Sequence, residues 1–150
     1  RRLILSTTAS NSAHAVPQIL LLTHGGWGSQ LCASLRMVAG DIQGVTEIAL
    51  MPVDTFSDFF QRVEHAVSTM PAGSLILTDF IGGTTSNVAA RLSVDYPIGV
   101  VAGLNASLLL QALELRENGP LTESIDELVE AGRESCRDVV AHINGLQNNA

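Results

Sequence analysis

His24 is the residue of this sequence best placed to act as a nucleophile. It comes at the end of an apolar run, residues 19–22, and two glycines, Gly25 and Gly26, follow it directly. A neutral imidazole keeps a free lone pair on one ring nitrogen, which can attack an electrophile such as phosphorus. A histidine at the end of a strand is also commonly a surface or capping residue, so His24 needs partners before it indicates catalysis.

A carboxylate and a glycine-rich loop follow a second apolar run. Asp79 ends the segment "SLILTD", and the loop that comes two residues later contains Gly82, Gly83, Thr84 and Thr85. The loop leads into a helical pattern, so its N–H groups, its hydroxyls and the helix dipole suit an anion such as a phosphoryl group. Two glycines before a helix are also a common turn and N-cap, which leaves this motif weak when it is taken alone.

His24 and Asp79 meet only if the strands that carry them are parallel neighbours. Ligands of open parallel sheets bind outside the carboxyl ends of the strands, and right-handed crossovers bring the two side chains to that edge. Asp79 would then hold the hydrogen of one ring nitrogen of His24 and leave the other nitrogen free to attack. The sequence therefore predicts a phosphohistidine site with His24 and Asp79 as catalytic residues and the glycine-rich loop around the phosphate.

The rest of the chain alternates strand and helix patterns, as βα units do. Strands are predicted at residues 18–23, 45–50, 74–79 and 97–102, and helices at 28–39, 55–70, 105–115 and 122–144. This order predicts an α/β fold of three layers, α/β/α, with a central, mainly parallel sheet that is doubly wound and flavodoxin-like. Residues 1–16 are predicted to be a flexible extension, and residues 17–150 a single domain.

Two details of the helices are predicted from spacing. Leu31, Leu35 and Val38 lie on one face of the first helix. In the last helix, Ser124 and Glu127 have the spacing of a capping box, and a long apolar stripe includes Cys136. Both cysteines, Cys32 and Cys136, are expected to be buried hydrophobic residues.

Composition excludes several functions. The 150 residues include eight Arg and no Lys, and the net charge is −7, so nucleic acid is a poor partner. Without lysine there is neither a Walker A loop nor a Schiff base, and the two distant cysteines form no zinc pair. No metal or cofactor is predicted. No segment approaches the roughly 20 apolar residues of a membrane span, which favours a cytoplasmic protein without membrane insertion.

Three motifs together resemble a known family. The segments "ILLLTHG", "GSLILTDFIGGTTSNVAARLS" and "IGVVAGLNASLLLQAL" are similar to the mannose-family enzyme IIA domain of the bacterial phosphoenolpyruvate-dependent sugar phosphotransferase system, over about residues 18–143. The resemblance implies that the phosphocarrier protein HPr phosphorylates His24 and that a histidine of enzyme IIB accepts the group. It also implies a homodimer. Some members exchange a C-terminal strand, but the region after Pro120 has a helical pattern here.

The loop departs from the family pattern, and other functions stay open. Family members usually have Gly-Gly-Ser-Pro-x-Asn, whereas Thr84, Thr85 and Ser86 precede Asn87 here. Trp27, Phe80 and Asn105, near the same edge, are candidate partner-docking residues. The alternatives are a dihydroxyacetone kinase phosphocarrier-like subunit and a non-catalytic anion-binding regulatory module. A histidine phosphatase fits poorly, because no Arg precedes His24 as a phosphate clamp.

Overall fold

A computed structural model describes residues 15–148 of the chain. The four strands are β1 (Ile19–His24), β2 (Val45–Leu50), β3 (Leu75–Thr78) and β4 (Gly99–Ala102). The helices are α1 (Gly28–Ala39), α2 (Phe56–Ser68), α3 (Thr84–Leu92), α4 (Ala106–Leu115), α5 (Ile125–Glu134) and α6 (Val139–Asn148). Two short 3₁₀ turns, Arg116–Asn118 and Leu121–Glu123, connect α4 to α5. None of the described helices is long and apolar enough to cross a bilayer.

The sheet has the order β2-β1-β3-β4, and all three strand pairings are parallel. β1 lies at the centre beside both β2 and β3, and Leu22 is in register with Thr78. The carboxyl ends of β1 and β3 therefore lie next to each other. The predicted parallel sheet is confirmed, and the first and third strands are neighbours, which is the condition for a contact between His24 and Asp79.

Helices cover both faces of this sheet. Ile19 and Leu21 point to the face that packs against α1, α4 and α5, whereas Leu20 and Leu22 point to the face that packs against α2 and α3. Successive residues of a strand face opposite sides, and a strand that is buried on both sides reads as a continuous apolar run. The pattern "ILLL" is therefore the sequence signature of a central strand, and the predicted three-layer fold is confirmed.

The first two helices each bury only a narrow stripe. In α1, Cys32 is buried as expected and Leu35 is buried too, whereas Val38, on the same predicted face as Leu35, is 76% exposed. In α2, Phe59 and Val63 are fully buried, whereas Phe56 is exposed. Each helix rests on the sheet along one stripe, and residues at the margin of that stripe point to solvent.

The single C-terminal helix that was predicted is two helices. α5 ends at Glu134 and α6 begins at Val139, where the Asp138 carboxylate accepts a hydrogen bond from the Ala141 N–H at 3.1 Å. Asp138 therefore starts a new helix, because a side-chain acceptor satisfies an N–H group that a helix start leaves free. As expected, the described residues after Pro120 form helices and turns and no strand.

Two predictions for this region are wrong. Ser124 makes no side-chain capping bond, so the proposed capping box with Glu127 does not form. Cys136 is exposed between α5 and α6, not buried. Val139 and Val140 are exposed as well, because α6 lies beyond both clusters that form the core. The apolar stripe has a surface to pack against only along α5, where Leu128 is fully buried.

Candidate functional site

His24 and Asp79 meet at the carboxyl edge of the sheet. His24 is the last residue of β1, and Asp79 directly follows β3. The ring atom Nδ1 of His24 lies 2.7 Å from Oδ2 of Asp79, and the same oxygen accepts the main-chain N–H of His24 at 2.7 Å. The side chain of Asp79 is nearly buried, whereas that of His24 is 40% exposed. The predicted contact is confirmed, and the accessible partner is the imidazole.

The Asp79 carboxylate is held in its charged form by four hydrogen bonds. Besides the two from His24, Oδ1 accepts the Thr85 hydroxyl at 2.7 Å and the Phe80 N–H at 3.0 Å. Burial by itself would raise the pKa of Asp79, but these bonds, of which the one from Thr85 contributes most, hold it below the usual value. An ionised Asp79 accepts a hydrogen from Nδ1 of His24, which leaves Nε2 with the free lone pair.

The amino end of α3 lies against the ring of His24. A Cβ atom placed on Gly83 would be 3.2 Å from Cε1 of His24, the ring carbon between the two nitrogens. Gly83 is the N-cap of α3 and has no side chain to accept a hydrogen bond from the first turn. The free N–H groups of a helix start, together with its dipole, attract anions. An anion on Nε2 would therefore lie beside an uncapped helix end.

The two threonines of the loop have different surroundings. Thr85 is fully buried, and its hydroxyl is bonded to Asp79, so it orients the carboxylate. Thr84 instead lines an open cavity of about 550 Å³ beside His24. The other residues around this cavity are mostly apolar: Gly25, Leu50, Met51, Pro52, Asp54 and Phe56. Gly82, at φ +88°, turns the chain from Ile81 into the helix.

Glu47 is a residue of this region that the sequence analysis missed. Its Oε2 accepts the Thr23 hydroxyl at 2.5 Å and the Gly28 N–H at 2.6 Å, and its Oε1 accepts both the N–H and the hydroxyl of Ser29 at 3.0 and 2.6 Å. Burial would raise the pKa of Glu47, but these bonds outweigh it and lower the pKa. An acidic residue inside the apolar strand "VTEIAL" is the signal that could have identified it.

This carboxylate also distinguishes the two helix ends near His24. Glu47 caps α1 from the neighbouring strand β2, so the amino end of α1 already has an anionic partner. The amino end of α3 has no such side-chain partner from its N-cap residue, Gly83. Of the two helices that begin beside the carboxyl edge of β1 and β3, α3 is therefore the one with room for an incoming anion.

The three predicted docking residues have different surroundings. Trp27 and Phe80 are exposed, and the ring of Phe80 lies beside that of His24. Asn105 caps α4, where its Oδ1 accepts the Leu108 N–H at 2.9 Å, and it lines a cavity together with Phe80. A docking role for these residues stays a prediction. Within residues 15–148, no group of three or more His, Cys, Asp or Glu side chains could hold a metal ion.

Comparison with known proteins identifies the family of this chain. The model of the EIIA-man family, described as the PTS system fructose IIA component, matches residues 18–131. The PTS system mannose-specific EIIAB component of Escherichia coli (strain K12) is 31% identical over 130 residues, which are 82% of this chain and 39% of that protein. The chain thus spans about two fifths of the length of that relative. The PTS system fructose-specific EIIA component of Bacillus subtilis (strain 168) is 24% identical, with 86% and 90% covered.

A solved structure has the same fold. The crystal structure of phosphotransferase system component EIIA from Streptococcus agalactiae has a TM-score of 0.76 and 28% identity, and the match covers 83% of this chain and 98% of that one. The family model alone covers more than half of the 150 residues. The chain therefore belongs to the mannose/fructose-type EIIA family of the sugar phosphotransferase system.

Proposed function

We propose that this chain is a phosphocarrier that accepts a phosphoryl group on Nε2 of His24 and passes it to a partner protein. The observation that carries the proposal is the pairing of His24 with an ionised Asp79 beside the uncapped amino end of α3. Nucleophile, orienting carboxylate and anion site then lie at one edge of the sheet. Membership of a family of phosphotransferase components supports the same chemistry.

In the proposed step, the Nε2 lone pair of His24 attacks the phosphorus of the donor. The bond from phosphorus to the donor nitrogen breaks, and its electron pair stays on the donor. The proton on Nδ1 remains there, and Asp79 offsets the positive charge that develops on the ring. The N–H groups of the first turn of α3 and the Thr84 hydroxyl would hold the phosphoryl oxygens. Transfer onward repeats the step with His24 as the donor.

The proposed donor is the phosphocarrier protein HPr, and the proposed acceptor is a histidine of an enzyme IIB component. The name of the E. coli relative joins an A and a B component, which supports a B component as the acceptor. The apolar cavity around Met51 and Phe56 offers contact area next to His24, and Trp27, three residues after His24 in the chain, is exposed. A homodimer is part of the same proposal, and light scattering on the purified chain would test it.

An intact-mass assay tests the proposed function. The chain is incubated with phosphoenolpyruvate, enzyme I and HPr, and the expected product is the addition of one acid-labile phosphoryl group. His24→Ala should abolish the addition, whereas the matched control His65→Ala, an exposed histidine on α2, should retain it. Absence of any addition to the wild type, or equal addition to the His24→Ala variant, would contradict the proposal and favour an anion-binding module.

A further inference from the structure

The ring of Phe80 lies flat on the imidazole of His24. The two ring centroids are 4.8 Å apart, and the ring planes differ by 16°. We propose that Phe80 is a positioning residue that fixes the tilt of the His24 ring, so that Nε2 stays directed to the amino end of α3. This inference rests on the proposed function, because it concerns the same nucleophile. It gives Phe80 a task that does not depend on a partner protein.

Asp79 by itself does not fix the orientation of the imidazole. Its carboxylate holds the ring through the single atom Nδ1, and the torsion that turns an imidazole about its Cβ–Cγ bond has only broad preferences. A ring held at one edge can still tilt about that hydrogen bond. An aromatic face stacked on the imidazole opposes this tilt, because tilting would separate the two rings or make them collide. The hydrogen bond and the stack thus restrain different motions.

Phe80 is itself held in place through its main chain. Its N–H donates to Oδ1 of Asp79 at 3.0 Å, and its carbonyl oxygen accepts the Ser86 hydroxyl. Because that hydroxyl hydrogen is used, Ser86 Oγ accepts the Thr78 hydroxyl at 2.9 Å. These bonds join the end of β3 to the start of α3 on either side of Phe80. The backbone that carries the ring is therefore anchored, although the side chain is exposed.

Gly83 provides independent support for the stack. Its backbone has φ −89° and ψ 175°, a conformation that any residue adopts, so the turn itself does not require glycine. A Cβ at this position would lie 2.8 Å from Cε2 of Phe80 and 3.2 Å from Cε1 of His24. The missing side chain is what makes space for both rings. Glycine at position 83 therefore leaves the space that the stacked rings of Phe80 and His24 occupy.

A docking role and a positioning role predict different results when no partner is present. If Phe80 only contacts a partner protein, its loss leaves reactions with a small donor unchanged. If it positions the ring, its loss slows those reactions too. Ile81 is the matched control, since it is the next residue, is 84% exposed and has no ring to stack on His24.

The test uses phosphoramidate as the donor, with no other protein present. Nε2 of His24 forms the new N–P bond, the N–P bond of phosphoramidate breaks, and ammonia leaves with that electron pair. Phe80→Ala should slow phosphorylation of His24 by about ten- to a hundredfold, the range expected when a reacting group is misplaced. Phe80→Tyr should restore the rate because it keeps a flat ring, and Ile81→Ala should match the wild type. If the alanine variant does not fold, Phe80→Leu replaces it, because leucine is apolar but has no flat ring, and the same slowing is expected.

Solution NMR provides a second measurement that needs no phosphoryl transfer. In the wild type, the Hε1 proton of His24 should show a strong nuclear Overhauser effect to the Hα protons of Gly83, because Cε1 of the ring lies next to the position that a Gly83 Cβ would take. Phe80→Ala should weaken this effect while the hydrogen stays on Nδ1, because Asp79 still accepts it. If Phe80→Ala and Phe80→Leu match the wild type in both the rate and this ring contact, the positioning role is overturned. If the wild type takes no phosphoryl group from any donor, the proposed function fails, and the NMR comparison still decides whether Phe80 orients the ring.

Discussion

Asp79 is the residue whose chemistry most depends on its surroundings. Its carboxylate accepts four hydrogen bonds, two of them from His24, and these keep it ionised despite burial. The pairing with His24 could be expected from sequence, since each residue comes at the carboxyl end of an apolar strand. The role of Thr85 could not be expected, because the loop pattern does not reveal which threonine is buried against the carboxylate.

Asp79→Asn should slow phosphorylation of His24 by at least about tenfold, because a neutral amide no longer offsets the charge that develops on the ring. The amide group can also present an N–H to Nδ1, which favours the wrong tautomer. The rate of phosphoryl uptake from HPr, followed by intact mass, is the measurement. Asp95→Asn, an exposed residue after α3, is the control and should leave the rate unchanged. If Asp79→Asn reacts at the wild-type rate, the charge of the carboxylate has no role in the mechanism.

At the scale of elements, the site depends on which N–H groups at the starts of α1 and α3 are hydrogen-bonded. A side chain caps the start of α1, whereas the N-cap residue of α3 provides none. Glu47 reaches from β2 to cap α1, and its hydrogen bonds join residues 18 to 24 positions apart in the chain. The turn between β1 and α1 passes through Gly25 and Gly26, at φ +80° and +89°, a backbone region that favours glycine. Glu47 and these glycines together set the path of the chain directly after His24.

Glu47→Gln should lower the free energy of unfolding at pH 7 by about 1–2 kcal/mol, since hydrogen bonds to a charged acceptor are stronger than those to an amide. The lowered pKa of Glu47 means that the unfolded chain binds this proton at higher pH than the folded chain does. Its stabilisation is therefore complete above the ordinary Glu pKa and is lost as the pH falls through the folded value.

Urea unfolding from pH 7 down to pH 3 measures this effect. The difference between the wild type and Glu47→Gln should be largest near neutral pH and should shrink on acidification. Glu130→Gln, on the exposed side of α5, should show no comparable loss. A difference between the wild type and Glu47→Gln that stays constant over this range would show that the charge of Glu47 is not what stabilises the fold.

At the scale of the whole molecule, the last helix, α6, lies outside the three packed layers of helices and sheet. The buried clusters draw on α1 to α5, and α6 contributes to neither. The apolar side chains of α6 that face solvent are Val139, Val140, Ile143 and Leu146. The match to the family model also ends before α6, at residue 131. Folding of the layers and the geometry around His24 should therefore not require this helix.

A variant that ends after Asp138 should unfold within about 1 kcal/mol of the full chain, because removing exposed residues costs little. It should also accept a phosphoryl group at the same rate. Thermal unfolding and the intact-mass assay are the measurements, with light scattering to show whether the assembly changes. A large loss of stability together with a change from dimer to monomer would instead place α6 in the interface of the proposed homodimer.

The amino-acid sequence by itself determined the βα order, the parallel sheet and the placement of His24 and Asp79 at the carboxyl ends of their strands. These follow from local patterns and from the fixed hand of the crossovers, so they need no knowledge of distant contacts. Only the tertiary structure decided the cap from Glu47, the stack of Phe80 on His24 and the break between α5 and α6. Each of these depends on which surfaces lie within a few ångströms, and periodicity along one chain does not report where a neighbouring element ends.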